Sequence, residues 1–317
     1  MKHFLVTGGC GFMGSNFIQT LFRQVPNVRV TNLDLLTYAA SRSFENKLPA
    51  SRYKFVRGDI ANTPLVLRLM KKCDYVVNFA AETHVDRSIH NGADPFVHSN
   101  IFGVVSLLNA LKESPNVKKM LHVSTDEVWG DLPISSKEKF NESSPLLPNS
   151  PYAASKASAE LMIRSFCKTY NLPVLVSRSV NNYGPGQFPE KMIPLFITQA
   201  LANKTLPLYG SGKNVRDWLY VADHSQAILT LLAGGKAGEV YGVSRGEEYS
   251  NLDIAKKILK ILNKPTSLIE YITDRPGHDR RYGVDSSKLR KLGWRPRFSL
   301  KESLPKTINW YQSTRNF

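Results

Sequence analysis

A glycine triplet set between an apolar strand and an amphipathic helix constrains this chain more than any other feature. Residues KHFLV read as a short buried strand, TGGCGFMGS follows at once, and NFIQTLFRQV has the period of a helix with one apolar face. Gly8, Gly11 and Gly14, spaced GxxGxxG, allow a tight turn and a close approach of backbone to a pyrophosphate, which then rests on the helix N-terminus. A second strand, VRVTNLD, ends in Asp34, 20 residues beyond Gly14. A carboxylate there suits the two ribose hydroxyls of NAD and repels a 2′-phosphate, so NAD is expected over NADP.

The alternation of strand and helix continues. RYKFVRGDI gives a strand with Asp59 and Ile60 at its end, placed to meet an adenine; LVLRLMKK reads as a helix and CDYVVNFAAETHVD as a strand running into a loop. SNIFGVVSLLNALKES is a long apolar-faced helix, and VKKMLHVSTDE is the fifth strand. This order predicts an α/β fold with a Rossmann-type doubly wound parallel sheet. Ligands of such sheets bind beyond the carboxyl ends of the strands. There the fifth strand offers STDEVWGD, in which the hydroxyls of Ser124 and Thr125 precede two carboxylates, Asp126 and Glu127. In SPYAASKASAELMIRSFCKTY, Tyr152 and Lys156 are four residues apart and share a helix face. An ammonium beside the phenol favours the phenolate, which predicts a lowered pKa for Tyr152 and a usable base at neutral pH.

Composition removes several alternatives. The chain of 317 residues is 42% hydrophobic, without repeats or low-complexity tracts, as a globular protein with a large core should be. No run approaches the 18 apolar residues of a membrane span, and MKHFLVTGG leads straight into structure without the pattern of a secretory leader. Cys10, Cys73 and Cys167 are odd in number, far apart and outside any CxxC, which argues against a disulfide framework or a zinc site and for a reducing cytoplasm; no metal is expected. The net charge of +16 would attract polyanions, yet Lys256, Lys257, Lys260 and Lys264 read as a solvated helix face and few aromatics are interleaved. Neither a nucleic-acid groove nor a membrane surface is expected, and the charge suits a phosphorylated small molecule.

After the strand LPVLVSRSV comes NNYGPGQFPEKMIPLFITQALANK, where Pro185, Pro189 and Pro194 are expected to shape a loop before the next helix. The remaining short strands and helices, GEVYGV, DIAKKILKILN and ESLPKTINWYQ among them, predict a smaller substrate-binding lobe. Residues 1–180 are thus expected to form the NAD-binding domain and 181–317 the second lobe, with segments that interleave. Arg216, Arg275, Arg280, Arg281 and His278 concentrate in that second half, and the guanidinium fork matches phosphate oxygens, so a diphosphate is the expected partner.

The strings AAETHVDRSI, STDEVWGD, SPYAASKAS, NNYGPGQFPEKMIPL, VRDWLYVADH and DRPGHDRRYGVD, in this order, resemble the extended short-chain dehydrogenase/reductase superfamily and, within it, the dTDP-glucose 4,6-dehydratase family. The resemblance runs to about residue 311. It implies NAD contacts at Gly8, Gly11, Phe12, Met13, Gly14, Asp34, Leu36, Thr37, Asp59, Ile60, Phe79, Ala80, Ala81, Thr83, Ser99, Tyr152, Lys156 and Asn182. Substrate contacts carry over to Thr83, Thr125, Asn181, Lys191, Met192, Pro207, Leu208, Tyr209, Arg216, Arg275 and His278, and Glu247 stands where the family has an Asn that helps hold the nucleotide sugar. A carboxylate facing a diphosphate repels it unless the side chain turns away or bonds a hydroxyl. Trp129 replaces a usual Tyr, Leu35 a residue that is often basic, and Thr83 a Ser. A C-terminal tail that could contribute to the pocket is not expected beyond Trp310.

The implied reaction is redox-neutral. Tyr152, with Lys156, takes the proton of the glucose 4-hydroxyl while NAD accepts the C4 hydride, Glu127 takes the C5 proton, Asp126 protonates the departing 6-hydroxyl, and the hydride returns to C6; Thr125 holds the 4-oxygen in line. One carboxylate must be ionised and the other protonated, which burial and close like charges arrange. UDP-glucose in place of dTDP-glucose, a nucleotide-sugar 4-epimerase or decarboxylase on the same scaffold, and a non-catalytic NAD sensor are the alternatives. The resemblance further implies a homodimer paired through the helices near 98–112 and 152–169.

Overall fold

The computed structural model describes residues 1–314, so the last three residues of the expected second lobe lie outside it. In chain order the strands are β1 (His3–Thr7), β2 (Arg29–Asp34), β3 (Tyr53–Arg57), β4 (Tyr75–Asn78), β5 (Lys119–Thr125), β6 (Val174–Ser179), β7 (Asn181–Tyr183), β8 (Leu206–Tyr209), β9 (Val215–Tyr220), β10 (Val240–Val243), β11 (Glu248–Ser250) and β12 (Ile269–Ile272). The helices are α1 (Phe12–Gln24), α2 (Thr63–Met70), α3 (Val85–His90), α4 (Asp94–Phe96), α5 (Gly103–Lys112), α6 (Pro151–Tyr170), α7 (Met192–Leu201), α8 (Val221–Gly234), α9 (Asn251–Ile261), α10 (Ser287–Lys291) and α11 (Leu300–Ser313). A π-helical turn, Val97–Phe102, leads from α4 into α5, so the long helix expected from Ser99 forms, with its first turn widened and α-helical geometry from Gly103.

Seven parallel strands in the order β10-β6-β5-β4-β1-β2-β3 form the central sheet. The chain leaves β1 for β2 on one side and returns to β4 on the other, so the switch of direction falls where the glycine loop follows β1. Each face of the sheet is covered. Phe17, Ile18 and Leu21 of α1, with Ile228 and Leu231 of α8, close one face; Leu107 and Leu111 of α5 and Ile163 of α6 close the other. Strands buried on both faces explain why β1, β4 and β5 read as near-continuous apolar runs.

β10 comes from residues 240–243 yet hydrogen-bonds to β6 as the edge of the central sheet. Residues beyond 180 are therefore shared between the sheet and a smaller layer of β11-β9-β7 and β12-β8, packed by α7, α9 and α11 around Phe196, Trp218, Ile254, Leu259, Leu304 and Ile308. Of the three prolines expected to shape a loop, Pro194 instead sits in the first turn of α7, where its missing N–H costs no helical bond. Among the described residues no helix is long and apolar enough to cross a membrane, and no group of three or more His, Cys, Asp or Glu side chains is placed to hold a metal.

Candidate active site

The carboxyl ends of β1 through β6 open into a cavity of about 430 Å³. Its near end is the glycine loop. Gly8 has φ +67, and a Cβ there would lie 2.5 Å from the Ala80 nitrogen; a Cβ on Gly14 would lie 2.3 Å from the Gly8 oxygen. Loop, α1 and the end of β4 therefore close up only as glycines. No side chain caps α1, and no acidic residue occupies its first turn, so its free N–H groups face the cavity with their partial positive charge. Asp34, at the end of β2, accepts from the Cys10 and Leu36 amides at 2.9 and 2.8 Å, and this fixes its carboxylate at the cavity wall. Burial raises its pKa, and the same two amides oppose that.

Most of the expected residues are brought together here. Gly8, Gly11, Phe12, Met13, Gly14, Asp34, Thr37, Asp59, Ile60, Phe79, Ala80, Ala81, Thr83 and Ser99 line one length of the cavity; Thr125, Asp126, Glu127, Tyr152, Lys156, Asn181, Asn182 and Lys191 line the other. Leu36 does not: its amide braces Asp34, its φ is +60, and Leu35 faces the cavity instead. The sequence reading missed Glu82, His98, Gln187, Phe188 and Glu190. The last three fall inside the quoted NNYGPGQFPEK string, but nothing in their type marks them as lining a cofactor cavity. Donors and acceptors suited to NAD are present as an uncapped helix, a ribose-height carboxylate, and the Asn181 and Asn182 Oδ1 atoms, which are buried without partners.

The catalytic end is built on three elements. β5 delivers Thr125, whose hydroxyl accepts from the Glu127 amide at 3.3 Å and lies 3.2 Å from Asp126 Oδ1, so the carboxylates sit in a short 3₁₀ turn at the carboxyl end of that strand. Asp126 is 2% exposed, and its Oδ2 has no partner. Burial pushes its pKa well up, the Glu127 carboxylate adds to this, and Arg216 opposes it. Glu127 is raised by burial with Arg275 acting against it. Of the two, Asp126 is the carboxyl pushed further toward its protonated form.

α6 begins with Ser150 capping the Ala153 amide at 3.1 Å and with Pro151 at its first position. At its second position, Tyr152 bonds Thr125 through its phenol. The lowered phenol pKa expected from Lys156 is not found. Burial raises Tyr152, the Glu127 and Asp126 carboxylates raise it further, and only Thr125 works the other way. Burial of the phenol dominates, and the Lys156 Nζ is engaged elsewhere, by the Val123 carbonyl at 2.8 Å and His122 Nε2 at 3.1 Å, while burial lowers its own pKa to about 8.

The remaining expected contacts stand outside this cavity. Arg275 pairs with Asp86 at 3.3 Å, the Tyr209 hydroxyl donates to the same carboxylate at 3.3 Å, and His278 bonds Asp274 at 2.6 Å with its ring edge-on to Tyr209. Arg216 donates to the Asp279 carbonyl at 2.7 Å and lies 4.3 Å over the Tyr282 ring. Pro207 and Tyr209 alternate outward on β8, whereas Leu208 is 2% exposed in the core of the smaller layer, and Met192 packs against that same core. Arg280 and Arg281, expected to face a diphosphate, are instead tied to Asp131 and Glu248 at 2.5 Å each. Glu247 is turned aside: Arg245 holds its carboxylate at 2.7 Å, and the Leu300 amide at the start of α11 and Tyr249 bond it too. Its pKa is accordingly lowered, chiefly by Arg245.

A dinucleotide cradle at the switch point of a parallel sheet, with a Tyr and Lys on one helix and a hydroxyl at the neighbouring strand end followed by two buried carboxyls, defines an enzyme of the short-chain dehydrogenase/reductase class. The chain belongs to the family described as GDP-mannose 4,6 dehydratase, which matches residues 5–307. It is 46% identical to a dTDP-glucose 4,6-dehydratase of Xanthomonas campestris pv. campestris over 98% of this chain and 93% of that one. It is also 46% identical to the low-salt glycan biosynthesis protein Agl12 of Haloferax volcanii, covering 97% of each. DesIV of Streptomyces venezuelae, a dTDP-glucose 4,6-dehydratase solved with NAD and dTDP bound, superposes with a TM-score of 0.95 at 45% identity, covering 99% of this chain and 98% of that one.

Proposed function

We propose that this chain is an NAD-dependent dTDP-glucose 4,6-dehydratase, forming dTDP-4-keto-6-deoxy-glucose and water. The observation that carries the reading is the buried Asp126–Glu127 pair beside Tyr152, since an epimerase of the same scaffold has no leaving hydroxyl to protonate. NAD, when bound along the glycine loop, Asp34 and Asn182, supplies the hydride acceptor at C4 and the hydride donor at C6. Tyr152 and Lys156 carry away the proton of the 4-hydroxyl, and Thr125 holds that oxygen. The ketone acidifies the C5 proton, which Glu127 removes. Asp126 then protonates the 6-hydroxyl as it leaves, and a proton returns to C5 to complete the product. Arg275, Arg216, Tyr209, His278 and Lys191 take the nucleotide diphosphate; Arg275 and Arg216 both act electrostatically on Glu127, so that cluster adjoins the carboxylates. Glu247, paired with Arg245, is not presented bare to the phosphates.

A homodimer built on α5 and α6 is part of this proposal. Phe102, at the entry to α5, is 60% exposed and Leu161, on α6, 57%, apolar surface that a second copy would cover. Cys10, Cys73 and Cys167 are free thiols, in keeping with a cytoplasmic protein. Turnover of the purified protein with dTDP-glucose and, separately, UDP-glucose tests the function. The expected result is the alkali-induced absorbance of a 4-keto-6-deoxy sugar and loss of one water by mass, with dTDP-glucose preferred. NAD bound but no product from either sugar would overturn it.

A further inference from the structure

The outer end of the cavity, away from the carboxyl pair, carries an ion pair with no part in the chemistry of the sugar. The glycine loop follows β1, Asp34 ends β2, and Gly58, Asp59 and Ile60 follow β3, the next strand outward in the sheet. A dinucleotide with its pyrophosphate on the loop and its ribose at Asp34 therefore lays its adenine against Asp59 and Ile60. Two groups hold the Asp59 carboxylate. The Ala61 amide donates to Oδ1 at 2.8 Å, and His98 Nε2 lies 2.8 Å from Oδ2. A carboxylate only accepts, so the hydrogen between them sits on Nε2. His98 comes from 39 residues further along the chain and lines the same cavity.

The π-helical turn sets the place of His98. The Gly103 amide bonds the His98 carbonyl, five residues back, and the widened turn presents both His98 and Ser99 to the cavity. The turn is itself pinned. Asn100, 1% exposed, accepts from the Glu82 amide at 2.9 Å and donates to the Glu82 carbonyl at 3.0 Å and the Ser155 hydroxyl at 2.8 Å. We propose that His98 is a positioning residue for the choice of cofactor base: it fixes Asp59 so that the carboxylate takes the 6-amino group of adenine and rejects a purine with oxygen at C6. Each carboxylate oxygen has room for two donors, so His98 and the amino group do not compete. A 6-oxo base instead brings acceptor against acceptor. While His98 holds Oδ2, the carboxylate cannot turn away to relieve that contact.

The test is a competition read without turnover. Protein is equilibrated with equal amounts of NAD and nicotinamide hypoxanthine dinucleotide, in which oxygen replaces the 6-amino group, and the bound nucleotides are separated by chromatography and counted. Wild type should hold NAD in excess. The His98 side chain is 57% exposed, so its exchange leaves the core untouched. His98→Ala should cut the excess about two- to fivefold, the range of a part-exposed charged pair. His98→Gln, whose amide reaches the position of Nε2, should keep it. In an Asp59→Ala background, adding His98→Ala should change nothing more, because His98 acts through that carboxylate. No excess in wild type, an excess unchanged in His98→Ala, equal loss in His98→Ala and His98→Gln, or a further loss in the double variant would each overturn the inference. A His98 that merely touched the base would weaken both nucleotides alike and leave the ratio where it was. The inference rests on NAD as the cofactor and not on the sugar. A wild-type protein that binds NAD but yields no product would count against the proposed function, while the nucleotide ratio reports on His98 alone.

Discussion

Asp126→Asn separates oxidation from elimination. The side chain is 2% exposed, its Oδ1 lies 3.2 Å from the Thr125 hydroxyl and its Oδ2 has no protein partner. An asparagine fits the same space, keeps the Thr125 bond through its carbonyl, and still offers an N–H where the carboxyl offered an O–H. What it cannot do is release a proton to the 6-oxygen. General acid catalysis is worth about 10² to 10⁴ in rate, or about 2.7 to 5.4 kcal/mol of barrier at 1.36 kcal/mol per factor of ten. Dehydration by Asp126→Asn should fall by that factor, with stability within about 1 kcal/mol of wild type because one neutral hydrogen-bonding group replaces another. Since the Tyr152–Lys156 end is untouched, a single turnover monitored by the near-ultraviolet absorbance of NADH should show the reduced cofactor form and persist. In the wild-type enzyme elimination depends on protonated Asp126, so its rate holds below the raised pKa and is lost as pH rises through it. Dehydration within about threefold of wild type, or a failure of NADH to form at all, would refute the assignment of Asp126 as the acid.

Other outcomes follow from the same geometry. Glu127→Gln should abolish exchange of the C5 proton with solvent deuterium, read by mass spectrometry, while NADH still forms. Arg178→Met strands the Glu160 carboxylate, 4% exposed, beneath the catalytic strand; breaking a buried pair costs about 3–5 kcal/mol. With an unfolding entropy of about 2.1 cal/mol/K per residue, this should lower Tm by about 6 °C in calorimetry, and Arg178→Met with Glu160→Leu together should recover much of the loss. Gly14→Ala sets a Cβ 2.3 Å from the Gly8 oxygen; forcing the loop open should cost about 1–3 kcal/mol and appear as weaker NAD binding in titration calorimetry.

Local pattern carried the sequence reading a long way. The glycine spacing, the acid at the end of β2 and the apolar runs of β1 through β5 depend on neighbours within one βαβ unit, and each of those features has a chemical reason to recur. Contacts between distant residues left no such trace. That β10 returns to the edge of the central sheet depends on pairing 64 residues back with Val176, which no period of two or 3.6 reveals. The same holds at the site. The i,i+4 spacing placed Tyr152 and Lys156 on one helix face, but two groups that hold the Lys156 Nζ, the Val123 carbonyl and His122, lie 33 and 34 residues away on β5. Glu247 looked like an intruder at a phosphate site because Arg245, two residues before it, could be read as its neighbour in sequence without being read as its partner. Arg280 and Arg281 read as diphosphate ligands because their carboxylate partners, Asp131 and Glu248, stand 149 and 33 residues away in the chain.

The most direct test of the account follows one hydrogen. dTDP-glucose carrying deuterium at C4 is turned over in ordinary water, and the product is examined by NMR and mass spectrometry. The account predicts that the deuterium leaves C4 and appears in the C6 methyl group, that C5 takes a solvent proton, and that one water is lost. Deuterium retained at C4 of an unchanged or epimerised sugar, or lost to solvent, would contradict a reaction in which the cofactor takes a hydride at one carbon and the buried carboxyl pair opens the next for its return.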